Sequence, residues 1–113
     1  MDIKQLVATV ASVATNADLN TIYALVMLAA EELKLKLDVS ITLVEEALRQ
    51  LVEEGYLIEY EEATLDLSKR TRKYIATEKL PQIAGKPPPK TAQVAKMRYV
   101  TPTFYYLLNP PKK

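Results

Sequence analysis

Residues 41–60 read ITLVEEALRQLVEEGYLIEY and combine a helix pattern with a strand pattern. Apolar residues recur at helical spacing, which leaves the opposite face charged. They are Val44, Ala47, Leu48, Leu51 and Val52. Thr42 followed by Glu45 matches a capping box, and Gly55 is placed to end the helix in a left-handed conformation. The stretch predicts a helix over residues 42–54, followed by an extended segment.

The residues after this helix predict a β-hairpin and then a fourth helix. Alternating residues at 56–60 and 64–67, around a polar turn at 61–63, are typical of two short antiparallel strands. Ser68 is a suitable N-cap for a helix over residues 69–79.

The N-terminal residues predict two further helices. Apolar residues recur at helical spacing from Ile3 to Ala14, so a first helix begins at Asp2. Asp18 or Asn20 can cap a second helix that runs to about residue 35. Because residues 21–30 are apolar nearly all round, this second helix is either a central core helix or a dimer interface.

Proline dominates the chain after residue 80. Pro81, Gly85 and residues 87–89 interrupt regular structure. Residues 97–108 regain β-favouring side chains, which predicts either a strand that adds to the hairpin or an arm that docks on a neighbour. Pro102 would make such a strand an edge strand at best. The predicted organisation is a globular domain (1–79), a basic Pro-rich linker (80–96) and a C-terminal strand or arm (97–113).

The charges are sorted by half. Residues 1–67 hold 4 basic and 13 acidic residues (4 − 13 = −9), whereas residues 68–113 hold 11 basic residues and only Glu78 (11 − 1 = +10). Blocks of one sign usually mark a surface that meets the opposite sign. The basic half is suited to nucleic acid, to an acidic protein, or to the acidic half of a second copy.

The composition weighs against several classes of function. The chain has no Cys and no His, which removes disulfides, thiolate metal sites and the commonest general base. We therefore expect neither enzymatic activity nor a bound cofactor or metal, and no small-molecule substrate is evident.

The N-terminal pattern bears on location. Polar residues at 15–21 interrupt the apolar run, so no membrane span is expected. The first residues lack the positive region of a signal peptide, which predicts an intracellular, cytoplasmic protein. A low content of Asn, Gln and Cys, with Pro in the loops, is typical of a thermophile.

Residues 41–60 resemble the third helix and first wing strand of winged-helix proteins, in which a helix end similar to ALRQLVEEGYL (residues 47–57) precedes a hairpin. Residues 65–75, LDLSKRTRKYI, are similar to the passage from the wing to the last helix in small archaeal and bacterial regulators of that type. The resemblance covers residues 19–77. It implies a mainly α fold with a small β-hairpin wing, a winged helix-turn-helix, here with a basic Pro-rich C-terminal extension.

Most winged-helix proteins bind DNA with the N-terminal residues of the third helix in the major groove. Carried over by position, the resemblance implies that the reading residues are Ser40, Thr42, Glu45, Glu46 and Arg49. Of these, only Arg49 has the guanidinium that contacts guanine in a bidentate way. The alternative for the glutamates is a solvated helix face with ion pairs at helical spacing.

The basic residues lie elsewhere, and the candidate nucleic-acid contacts among them are Lys69, Arg70, Arg72, Lys73 and Arg98. On the predicted fourth helix, Lys69, Arg72 and Lys73 share one face and can follow a phosphate backbone. Aromatic residues at 99 and 104–106 are suited to stacking on unpaired bases. The alternatives are a solvated helix start and aromatic residues that complete the core.

Two functions remain open from the sequence. The first is a small DNA-binding winged-helix protein, such as a transcription regulator, that contacts phosphates through its basic last helix and tail. The second is an assembly module, in which the acidic helices of one copy receive the basic tail of another, giving a homodimer or a higher homo-oligomer. Similar winged helices act as docking units in archaeal and viral complexes.

Overall fold

The computed structural model describes residues 1–63 and 65–99, with the side chains of residues 98 and 99 outside the description. Within these residues, four α-helices and a small antiparallel sheet surround one core. The elements are α1 (Ile3–Val13), β1 (Ala17–Asp18), α2 (Leu19–Glu32), α3 (Ile41–Glu53), β2 (Leu57–Ala63), β3 (Arg70–Ala76), a 3₁₀ turn (Leu80–Gln82) and α4 (Pro89–Tyr99). Helices followed by a hairpin are therefore confirmed.

Each of the first three helices begins at a residue whose side-chain oxygen accepts a hydrogen bond from the amide three residues later. The pairs are Asp2 with Gln5 (2.8 Å), Asp18 with Thr21 (2.8 Å) and Ser40 with Leu43 (3.2 Å). The cap at Asp18 confirms one of the two alternatives predicted for α2, and the predicted start of the first helix at Asp2 agrees with the position of its cap. The capping box at Thr42 was wrong: α3 already begins at Ile41, and the cap is Ser40, which has an extended backbone and accepts from the Leu43 amide rather than from that of Glu45.

The hairpin lies later in the chain than the pattern predicts. β2 and β3 pair antiparallel over seven residues each, from Leu57 opposite Ala76 to Ala63 opposite Arg70. The predicted turn at 61–63 and the predicted helix over 69–79 are therefore wrong. A strand lets Tyr74 reach the core at 4% exposure and places the basic residues beside the glutamates of β2.

A third strand, not predicted from the sequence, completes the sheet. Ala17 lies opposite Tyr74, and Asp18 lies opposite Lys73, so the strand order is β1-β3-β2. Two residues are too few to show a strand period, which is why only the pairing reveals β1. Its position ties the start of α2 to the hairpin.

The core lies between the helices, and α2 is at its centre. This helix contacts α1, α3 and α4, which confirms that it is buried on more than one side. Its buried residues are Ile22, Leu25, Val26, Ala29 and Ala30. The helix ends at Glu32, earlier than predicted, because Lys34 adopts a left-handed conformation (φ 55°). No helix in the described ranges is long and apolar enough to cross a membrane.

The segment predicted as a linker contains a helix that packs on the core. Leu80 and Ala95 are each 1% exposed, and α4 contacts α1 and α2. A helix forms here despite the prolines because Pro89 occupies the first helical position, where its missing N–H costs nothing. The predicted strand or arm lies largely beyond the described residues, and the domain boundary at 79 stays a prediction.

Candidate interaction surfaces

The exposed side of α3 carries the residues predicted to contact the DNA major groove. Among them, Arg49 is bound to two glutamates of the same helix. Its Nε donates to Glu46 Oε2 at 3.1 Å and its Nη1 to Glu53 Oε1 at 2.6 Å, and Nη2 also donates to Glu46. The hydrogen bond from Arg49 lowers the pKa of Glu46, and Glu46 in turn raises that of Arg49. Glu45 and Thr42 are exposed on the same helix.

For binding a phosphate, the net charge of α3 matters more than the ion pairs that Arg49 makes. Each exposed ion pair contributes only about 0.2–1 kcal/mol, so a phosphate could displace a glutamate from Arg49. However, α3 has three glutamates and one arginine, a net charge of 1 − 3 = −2. A phosphate that reached Arg49 would meet the remaining carboxylates as well. This helix is therefore electrostatically suited to a cationic partner.

The basic residues of β3 are paired with the acidic residues of β2. Arg72 Nε lies 3.0 Å from Glu59, Lys73 Nζ lies 3.1 Å from Glu62, and an Arg70 nitrogen lies 3.7 Å from Glu61. Each pair connects diagonal neighbours that share a face of the hairpin: the Arg70 and Arg72 pairs lie on one face and the Lys73 pair on the other. Between residues 57 and 76 there are four basic and four acidic residues, so the hairpin is neutral.

The strand also changes how the predicted basic cluster is arranged. Lys69, Arg72 and Lys73 do not share a helix face: Lys69 lies in the turn before β3, and Arg72 and Lys73 point to opposite faces of the strand.

Burial raises the pKa of Tyr74, and nearby Glu59 raises it further. The neutral Tyr74 hydroxyl is therefore favoured between these charges.

A basic surface that is not part of the hairpin lies on α4. Lys90, Gln93 and Lys96 are exposed at a spacing of three residues, and the helix contains no acidic residue. Arg98 belongs to the same helix, although its side chain is outside the description. The opposite side buries Thr91 and Ala95 in the core.

Glu32, at the end of α2, fastens the first turn of α4. Its Oε2 accepts from the Lys90 amide at 2.9 Å, and its Oε1 accepts from both the amide and the hydroxyl of Thr91 at 2.9 Å. Desolvation raises the pKa of Glu32, but the hydrogen bonds from Lys90 and Thr91 outweigh it, so the pKa is lowered. An acidic side chain thus caps a helix remote in sequence.

Sequence reasoning located Thr42, Arg49 and the basic residues, but it did not identify Lys90 and Lys96 as one surface, nor Glu32 as a cap. The missing signal was α4 itself, since the proline run hid its periodicity. The described residues contain no group of three or more acidic side chains placed to hold a metal ion.

Comparison with protein-family models, with curated proteins and with solved structures gave no match for this chain.

Proposed function

We propose that this chain is a winged helix that works as a protein-docking and assembly module, with the acidic side of α3 as its contact surface. The order of three helices followed by a hairpin supports the winged-helix assignment. The observation that carries the docking role is the net negative charge of α3, whose one arginine is bound to Glu46 and Glu53.

The partner that fits this surface is the basic side of α4 in a second copy. Lys90 and Lys96 supply the opposite sign on a helix without an acidic residue. α3 packs on α1, α2 and β2, whereas α4 packs on α1 and α2. A contact between different surfaces of two copies is heterologous, so it forms rings or filaments.

Charge reversal tests this assembly. Sedimentation velocity at low salt is expected to show self-association that disappears as salt rises, because exposed charges are screened. Glu45→Lys and Lys96→Glu should each weaken association, and an equimolar mixture of the two variants should restore it. Glu78→Lys changes the net charge as Glu45→Lys does, but at a position outside α3, and should leave association unchanged. Association that ignores both Glu45→Lys and salt would contradict the proposal.

The second candidate function is nucleic-acid binding through α4. The observation that favours it is the exposed Lys90 and Lys96 on a helix without an acidic residue. The hairpin and α3 have no net positive charge. The nucleic-acid contact is therefore expected at α4, and not at Arg49 or Arg72 as the sequence predicted.

Fluorescence anisotropy with a random duplex and a matched single strand separates the two functions. Binding through α4 predicts affinity that falls with salt, with a slope of log K against log salt of about −0.9 per phosphate neutralised on duplex. Lys96→Glu should weaken it. Glu45→Lys should strengthen DNA binding but weaken assembly, so this one variant moves the two functions in opposite directions.

A further inference from the structure

The outward side of α2 has a single charged residue, Glu31, whereas a solvent-facing helix normally carries several. Asn20, Ala24, Met27 and Glu31 recur at helical spacing and are exposed, and Met27 is 47% exposed. From residue 19 to residue 30 the helix has no charged side chain at all. A surface helix usually places charged residues opposite its buried stripe, as α3 does.

This surface, called here the outer α2 face, is bordered by further apolar residues. Half-buried Tyr23 lies along one side and half-buried Leu28 along the other. Leu28 is one turn after Ala24 and one turn before Glu32, so the side of the face that holds Leu28 leads towards α4. The remaining sides of α2 are covered by α1, α3 and α4.

The chain beyond α4 has the composition to cover this face. Residues 104–108 read FYYLL, the sequence from 100 to 113 contains no acidic residue, and it ends in Lys112 and Lys113. It continues directly from α4, which itself packs on α2. Glu31 is the one charge on the outer α2 face, and its sign is opposite to that of the terminal lysines.

The chain is also long enough. Residues 100–103 separate α4 from Phe104 and span at most about 14 Å when extended. Residues 104–108, when extended, span up to about 17 Å. This is close to the length of α2, which is about 21 Å for its 14 residues.

We propose that residues 104–108 of the same chain dock on the outer α2 face. The rival apolar surface is the pair of Ile58 and Ile75, opposite each other on the hairpin and 53% and 36% exposed. On that face Lys73 is paired with Glu62, so the rival surface offers the terminal lysines no net negative charge, whereas the outer α2 face offers Glu31. This inference does not rest on the docking role of α3.

The full chain offers a direct test, because it has three methionines and no cysteine. A nitroxide is attached at Asn109→Cys, and methionine methyl signals are recorded by NMR before and after reduction of the nitroxide. The Met27 methyl should lose most of its intensity and recover on reduction. A second sample with Ile58→Met reports on the rival surface, and this added methyl should keep its intensity.

Two further samples decide where and how the segment docks. Ala24→Lys places a charge in the outer α2 face and should abolish the effect on Met27, whereas Gln93→Lys on α4 should leave it intact. Isotope-labelled protein without nitroxide is also mixed with unlabelled nitroxide protein. Broadening of Met27 in that mixture would mean docking between copies and would overturn the proposal. An unaffected Met27 in the first sample, or an effect that survives Ala24→Lys, would also overturn it.

Discussion

Individual residues in this chain take their roles from their immediate surroundings. Arg49 is suited by its chemistry to a guanine, yet Glu46 and Glu53 on its own helix bind it. Thr9 is similar: fully buried, it donates its hydroxyl to the Gln5 carbonyl and accepts from the Gly85 amide at 2.8 Å. The helical pattern assigned no role to Thr9, whereas in the structure its hydroxyl holds the chain before α4 through the Gly85 amide.

Leu67 offers a test of backbone strain at the hairpin turn. It adopts a left-handed conformation (φ 59°) while its side chain is 74% exposed, so it has strain without compensating burial. Leu67→Asn should raise the free energy of unfolding by about 1 kcal/mol, because asparagine tolerates this conformation. Thermal unfolding followed by circular dichroism measures it. Leu65→Asn, at a fully exposed position in the same turn, should change little; equal effects would contradict the strain argument.

At the scale of elements, α4 depends on a carboxylate from α2. Because the pKa of Glu32 is lowered in the folded protein, its contribution is fully present above the unfolded value, about 4.3, and is lost as pH falls through the lowered folded value. The intrinsic exchange of amides slows in acid, so the measured quantity is the protection factor: those of the Lys90 and Thr91 amides should fall as the pH drops through this value.

Substitution of Glu32 provides the matched comparison. Glu32→Gln removes one acceptor oxygen, so the same two amides should already exchange on the order of tenfold faster at neutral pH and respond less to acid. Glu31→Gln, at the neighbouring exposed residue, should behave like the natural chain. Protection of Lys90 and Thr91 that is unchanged in Glu32→Gln would show that packing alone holds α4.

The net charge of the hairpin likewise depends on a contact between elements, here the ion pairs between β2 and β3. Changing Glu59, Glu61 and Glu62 to glutamine would leave the partner cations unpaired and give the hairpin a net charge of +3. Duplex binding by anisotropy should strengthen, and its salt slope should steepen by about 0.9 for each phosphate newly neutralised. A control with Glu31→Gln, Asp38→Asn and Glu78→Gln adds the same charge elsewhere. Equal gains in both variants would mean that net charge, not the hairpin, is responsible.

At the scale of the molecule, the core extends past the predicted boundary at residue 79. Leu80, Thr91 and Ala95 are almost fully buried, and α4 covers parts of α1 and α2. We expect a fragment of residues 1–79 to lose cooperative thermal unfolding, since a domain of this size has little stability to spare. A fragment of residues 1–99 should retain it. A 1–79 fragment that melts like the full chain would support the boundary predicted from the sequence.

The sequence alone determined the first three helices, the start of the first at Asp2, the cap at Asp18, the left-handed Gly55 and the division of charge, because each depends on local spacing or composition. Tertiary structure decided the rest. Residues 70–76 form a strand because β2 and β1 pair with it, and α4 forms where Glu32 caps it from 58 residues away in sequence. Contacts between distant residues leave no periodic trace, so only the folded chain reveals that the basic strand is neutralised by the glutamates of β2.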